Sequence, residues 1–119
     1  MRYLLMIHTN PANWATLSEA ETGAMFAEYE AFTQRIVASG EFVSGDPLQG
    51  PETATVVRVR DGVRSTTDGP FVETKEHLAG YYVVDCPSLD RALAVAAEIP
   101  DARFAGVEVR PLADMTMAS

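Results

Sequence analysis

A chain of 119 residues, 47% hydrophobic and 22% charged, has the size and composition of one folded unit with its own core, and no apolar run in it approaches the ~20 residues that cross a bilayer. Nine Lys and Arg against seventeen Asp and Glu, a net charge of −8, leave no basic stripe to neutralise a phosphate backbone, which argues against nucleic acid as a partner. The single cysteine, Cys86, cannot close an internal disulfide and suits a reducing cytoplasm.

Met1 to Ile7 starts like a signal peptide, but the apolar run breaks at His8-Thr9-Asn10-Pro11, too early for a secretory core, and the nearly continuous apolar stretch Arg2 to Ile7 reads instead as a central strand covered on both faces. Asn10 to Leu17 has no period and reads as a connection. Ser18 and Glu21 form an S-x-x-E capping box, so a helix begins there and runs from about Glu19 to Ser39. Met25, Tyr29, Phe32 and Ile36 recur at helical spacing as its buried stripe, and Gly40 supplies a left-handed cap.

Glu41 to Gly45 is a short strand. Thr53 to Arg60 alternates as another, and Asp61-Gly62 turns it into the return strand Val63 to Thr67 of a hairpin. Arg58 and Arg60 are expected in solvent or paired across that hairpin. Asp68 to His77 then packs turn formers, both charge signs and an imidazole between two strands, with Gly69-Pro70 biasing it toward a shaped loop. Leu78 to Cys86 is a second inner strand in which Gly80 marks a bulge or a close backbone approach. Cys86, at its end and before Pro87, reads as a buried structural thiol. Ser88 caps a second helix with Leu89, Ala92, Leu93 and Ala96 as its buried stripe, Pro100 stops it, and Val107 to Arg110 is the last strand.

This order predicts an α+β fold, ferredoxin-like βαββαβ with an extra β-hairpin strand, as one domain over residues 1–112 with a mobile tail at 113–119. Both helices then cover one face of the sheet, while its inner strands are apolar on two. A second copy is the simplest cover for the other face, so a homodimer is expected.

Several stretches carry a resemblance: Met1 to Ile7, Tyr29-Glu30-Ala31-Phe32, Ala54 to Gly62, Thr67-Asp68-Gly69-Pro70-Phe71-Val72-Glu73-Thr74-Lys75-Glu76, Gly80-Tyr81-Tyr82 and Val107 to Pro111. Together they resemble the DGPF, or YCII-related, proteins from end to end. The resemblance implies a dimeric α+β barrel. Relatives in the wider group are regarded as enzymes with a His-Asp pair, one of them a dehydrochlorinase of aromatic degradation. Pairing them with this chain sets the helical histidine against Tyr29 and the aspartate against His8 to Asn10, where no carboxylate stands. DGPF proteins also tend to be encoded beside extracytoplasmic-function sigma factors, which implies an accessory or regulatory role as the alternative.

Candidate site residues follow from side-chain chemistry. Asp68 is a general base or the acceptor of an Asx-turn, and His8, at the cleft mouth, a proton shuttle or a structural strand-end residue. Glu73 and Lys75 bind polar substrate groups or belong to a solvated loop. Tyr29 and Tyr81 or Tyr82 line a pocket or pack the core, and His77 is expected on the surface. Two distant histidines without carboxylate or thiolate companions give no metal signature. The expected function is a cofactor-independent lyase or isomerase type of enzyme acting by acid–base chemistry on a small aromatic or carboxylated molecule; the alternative is a non-catalytic dimer that binds a metabolite or a protein.

Overall fold

In the computed structural model, which describes residues 1–114, the first strand, β1 (Arg2–Thr9), lies at the centre of an antiparallel sheet because its apolar run can be paired on both sides. Around it stand β2 (Phe42–Pro47), β5 (His77–Asp85) and β6 (Gly106–Pro111), in the order β2-β5-β1-β6. That is the ferredoxin-like arrangement, and the fold is mixed α+β as the sequence implied. The extra hairpin, β3 (Thr55–Arg60) with β4 (Val63–Asp68), forms a two-stranded sheet of its own. It turns at Asp61 and Gly62, with φ of 53° and 75°.

The capping box is present. Ser18 Oγ accepts from the Glu21 amide and the Glu21 carboxylate from the Ser18 amide, and α2 runs Glu19–Ala38. Three of its four predicted inward residues, Met25, Phe32 and Ile36, are buried; Tyr29 is only partly so, because its hydroxyl end reaches a cavity. The second long helix, α3 (Leu89–Ala97), differs from expectation in its stripe. Ala92, Val95 and Ala96 are buried, whereas Leu89 and Leu93 stand on the outer side, 46% exposed each. Small alanines let this helix approach the sheet closely, and that approach selects the face.

Asn10 to Leu17 is also not plain connection. Pro11–Ala15 forms a short helix, α1, with Asn10 Oδ1 accepting from the Ala12 amide as its cap. Pro100, expected only to stop α3, opens a 3-10 turn, Pro100–Arg103. The first helix turn and this late turn both prove central to the cavity described below. The expected tail at 113–119 falls outside the described residues from 115 onward.

One buried cluster joins Tyr3, Leu5 and Ile7 of β1 to Phe32 and Ile36 of α2 and to Ala92, Val95 and Ala96 of α3, so both helices cover the same face. Leu4, Met6 and His8 alternate with those β1 residues, point the other way and stay partly open to water. Val83 lies across from Leu4 and Tyr81 across from Met6. Polar residues, Ser44, Asp46, Glu108 and Arg110, flank this apolar strip on the outer strands. The radius of gyration, 16.6 Å, exceeds the roughly 13–14 Å expected for a chain of this length because the β3–β4 arm projects, leaving Val57, Val59 and Val63 exposed.

At the far edge, Glu41 joins β2 to α3. Its carboxylate accepts two bonds from the Arg91 guanidinium, 2.7 and 2.8 Å long, and one from Ser39 Oγ at 2.7 Å. The Cys86 thiol also donates to it. The Arg91 bonds hold the Glu41 carboxyl at about 2, well below the usual carboxylate range. A carboxyl lowered in the folded chain stabilises it above the unfolded value near 4.5, and that contribution fades as pH falls toward about 2. Chemical denaturation across that window should therefore show a loss of stability that Glu41→Gln removes. Because Arg91 is half exposed, the same substitution at neutral pH should cost about 2 kcal/mol rather than the 3–5 of a fully buried pair.

Candidate functional site

Where α1, α2 and the 3-10 turn meet the β2–β5 edge, the chain leaves a cavity of about 710 Å³. Its walls are largely apolar and carry several aromatic rings. Trp14 and Phe26 pack with ring centroids 5.6 Å apart, and Tyr82 sits edge-on to Phe32 at 5.2 Å and to Phe42 at 6.3 Å. The backbone also shapes it. A side chain at Gly80 would come within 3.0 Å of the Asp46 carbonyl oxygen and 3.2 Å of Pro47 Cα, so glycine lets β2 lie close where the register of β1 and β5 shifts.

Asp101 is the polar centre of this cavity. It is only 3% exposed, yet its side chain accepts three hydrogen bonds: from Thr9 Oγ1 and Trp14 Nε1 at 3.1 Å each on Oδ1, and from the Tyr29 hydroxyl on Oδ2. One carboxylate thus ties together the end of β1, helix α1 and helix α2. Burial, and then the facing Asp101 carboxylate, push the Tyr29 hydroxyl well above its ordinary value, so it stays protonated and its one proton is committed to Asp101. Its oxygen keeps free lone pairs.

A second hydroxyl relay stands beside it. Thr33 Oγ1 donates to the Tyr29 carbonyl at 2.9 Å, so in its 2.6 Å contact with Tyr82 the tyrosine must be the donor. The cavity is therefore lined by tyrosine oxygens that can accept and by the acidic residues Glu52 and Asp101, and none of its described lining residues is a lysine or arginine. His77, expected at the surface, is partly buried and lines the same cavity.

Of the residues singled out from the sequence, Tyr29 and Tyr82 bring their side chains to this cavity; Tyr81 borders it, but its side chain lies on the opposite face with Met6, its cross-strand partner. The Tyr81 hydroxyl donates to Asp46 Oδ2 at 2.9 Å. The others lie elsewhere. His8 is on the opposite face of β1, as strand alternation requires once Thr9 points inward. Asp68 closes β4, exposed and without a side-chain hydrogen bond among the described residues, and it does not line the cavity. Glu73 and Lys75 are exposed in the segment after Phe71, which folds back on the arm. The Thr74 hydroxyl bonds the Glu76 carbonyl there, and the Arg58 guanidinium lies over the Phe71 ring at 5.4 Å. Among the described residues no group of three or more His, Cys, Asp or Glu is placed to hold a metal ion.

Asp101 and Trp14 escaped the sequence reading. A Pro-Asp after a helix resembles an ordinary stop signal, and one tryptophan in an aperiodic stretch has no partner until α1 forms.

Comparison with known proteins follows the same outline. The model of the YCII-related domain matches residues 1–116, and the chain belongs to that family. An uncharacterised protein of Rhizobium meliloti (strain 1021) is 32% identical over 115 residues, spanning 95% of this chain and 93% of the relative. Among solved structures, the 5-chloro-2-hydroxyhydroquinone dehydrochlorinase of Burkholderia phenoliruptrix AC1100, in complex with 2,5-dihydroxybenzoquinone, matches with a TM-score of 0.57 and covers 95% of this chain and 94% of its own. At 14% identity that likeness establishes the shared fold.

The geometry sets an order of sensitivity at Asp101. Asp101→Ala leaves three donors without their acceptor and should cost about 3 kcal/mol in thermal unfolding, whereas Tyr29→Phe removes one bond and should cost about 1–2 kcal/mol. Equal small effects from both would show that the carboxylate does not organise the site.

Proposed function

We propose that this YCII-related protein is a cofactor-independent enzyme performing acid–base chemistry on a small hydroxylated aromatic molecule. The observation that carries the reading is the Tyr29–Asp101 pair inside an aromatic cavity without a lining lysine or arginine. Flat apolar walls suit a ring. Acidic residues disfavour a carboxylated ligand, so of the aromatic and carboxylated substrates expected from the sequence the aromatic one is preferred, with hydroxyls as its polar groups. The chlorinated hydroquinone named for the structural neighbour belongs to that type.

A ring hydroxyl that donates to the Tyr29 oxygen passes its proton there as the Tyr29 proton moves to Asp101 Oδ2. No free tyrosinate has to form, which matters because burial disfavours that anion. The electron pair left on the substrate oxygen then enters the ring as the proton, returned from Asp101 through Tyr29, is added to a ring carbon to give the keto tautomer; where that carbon bears a leaving group, loss of the proton of a second ring hydroxyl back to the Tyr29–Asp101 pair expels it as its anion. Both outcomes balance without an oxidant or a metal.

We also assign the protein to the cytoplasm as a homodimer. No helix among the described residues is long and apolar enough to cross a membrane. Cys86 is a buried free thiol pushed up to about 11 by its burial and by Glu41, a state that fits a reducing compartment. The dimer is supported by the apolar strip of Leu4, Met6 and Val83 and by the projecting arm.

Two measurements test this. Sedimentation at micromolar concentration should give about twice the 12.9 kDa chain mass, and a species of the chain mass itself would contradict the dimer. Anaerobic incubation with a chlorinated hydroxyhydroquinone should release chloride, with Tyr29→Phe at least about 100-fold slower, the usual scale of a lost acid–base group. Ring binding without any turnover across hydroxylated aromatics would favour the non-catalytic module.

A further inference from the structure

We propose that His77 is a second proton acceptor in the cavity, working through Nε2, and that the ligand is accordingly a ring with two hydroxyl groups, one on Tyr29 and one on His77. The inference rests on the function proposed above and adds a residue and a substrate feature to it.

Among the described residues, His77 Nε2 is the one buried side-chain nitrogen or oxygen without a hydrogen-bond partner. An unsatisfied buried polar atom is costly, and in a folded protein it calls for a specific partner. His77 lines the cavity and pairs across the strands with Thr9, whose hydroxyl is bonded to Asp101, so the orphan nitrogen belongs to the same chamber as the Tyr29–Asp101 pair. The fitting partner is the occupant of that chamber.

The other ring nitrogen says which role Nε2 takes. Nδ1 lies 3.5 Å from the Leu78 carbonyl oxygen, a group that can only accept. Any bond there requires the proton on Nδ1, which leaves Nε2 as the bare, basic nitrogen. Nε2 then accepts a hydroxyl proton. The remaining imidazole contact, at the limit of hydrogen-bond length, leaves the ring free to adjust to a ligand. With Tyr29 as one acceptor and His77 as another, a ring bearing one hydroxyl satisfies only half the site.

The test uses the full-length protein with nitrogen-15-labelled histidine. Long-range proton–nitrogen correlation spectra, with His77 told apart from His8 by a His8→Gln variant, should report the tautomer protonated on Nδ1 in the ligand-free protein. A tautomer protonated on Nε2 overturns the proposal whatever the protein's activity. Chemical-shift titration then compares phenol with hydroquinone. Wild type should bind hydroquinone about tenfold more tightly than phenol, and His77→Phe should bring that ratio close to one. A ratio that survives in His77→Phe, or an equal loss for both probes, overturns His77 as the second acceptor but leaves the Tyr29 reading in place. Failure of wild type to bind either ring sinks the function reading itself. The histidine tautomer is then still judged by the spectrum without ligand.

Discussion

A carboxylate removed from water has to be met by donors, and Asp101 is met by three, from residues 92, 87 and 72 positions away in the chain. That requirement draws the end of the central strand, the short helix after it, and the middle of the long helix to one point. The aromatic cavity lies where they converge. Without the carboxylate, Trp14 and Tyr29 would each bury a donor with nothing to accept it, and the 3-10 turn after α3 would have no reason to face inward.

The same carboxylate resolves a mismatch raised by the family resemblance. Pairing with relatives sets Tyr29 where they carry a helical histidine, and finds no acid between His8 and Asn10. In the fold an acid nevertheless meets this strand end, since Asp101 accepts from both Thr9 and Tyr29. The acid arrives from the opposite end of the sequence. The result is a tyrosine–aspartate pair whose proton is held by a buried anion, with the phenol oxygen's lone pairs left for a ligand.

Much of the architecture was legible because it depends on local signals. The capping box at Ser18, the period of Met25, Phe32 and Ile36, the Asp61-Gly62 turn and the unbroken apolar run that makes β1 a central strand each act over a few residues, and each is found. The fold class followed from their order. The site was less legible. Tyr29 was offered as a pocket residue and reaches the cavity, but the conspicuous Asp68 to Glu76 run drew attention to an arm that stands apart from it, and His8, expected at the cleft mouth, stands with Tyr81 on the other face of the sheet. Strand alternation alone separates His8 from Thr9, and a β-strand reading cannot say which set faces the helices when both are apolar or amphipathic. Asp101 was invisible for another reason: its partners are remote in sequence, and only tertiary structure assembles them. Ala92 and Ala96 of the α3 stripe were read correctly, but Leu89 and Leu93 were added to it because leucines outrank alanines in hydropathy, while close helix–sheet packing favours the smaller residues.

Everything said of the site depends on an aromatic ring entering the Trp14–Tyr82 cavity with a hydroxyl on the Tyr29 oxygen. A crystal structure of the protein soaked in hydroquinone tests this most directly. The account predicts ring density between those aromatic walls, with one ligand oxygen within hydrogen-bond distance of the Tyr29 hydroxyl oxygen and the Asp101 contacts intact. Density for the ring against the Phe71 segment of the arm, with the cavity holding only solvent, would contradict it.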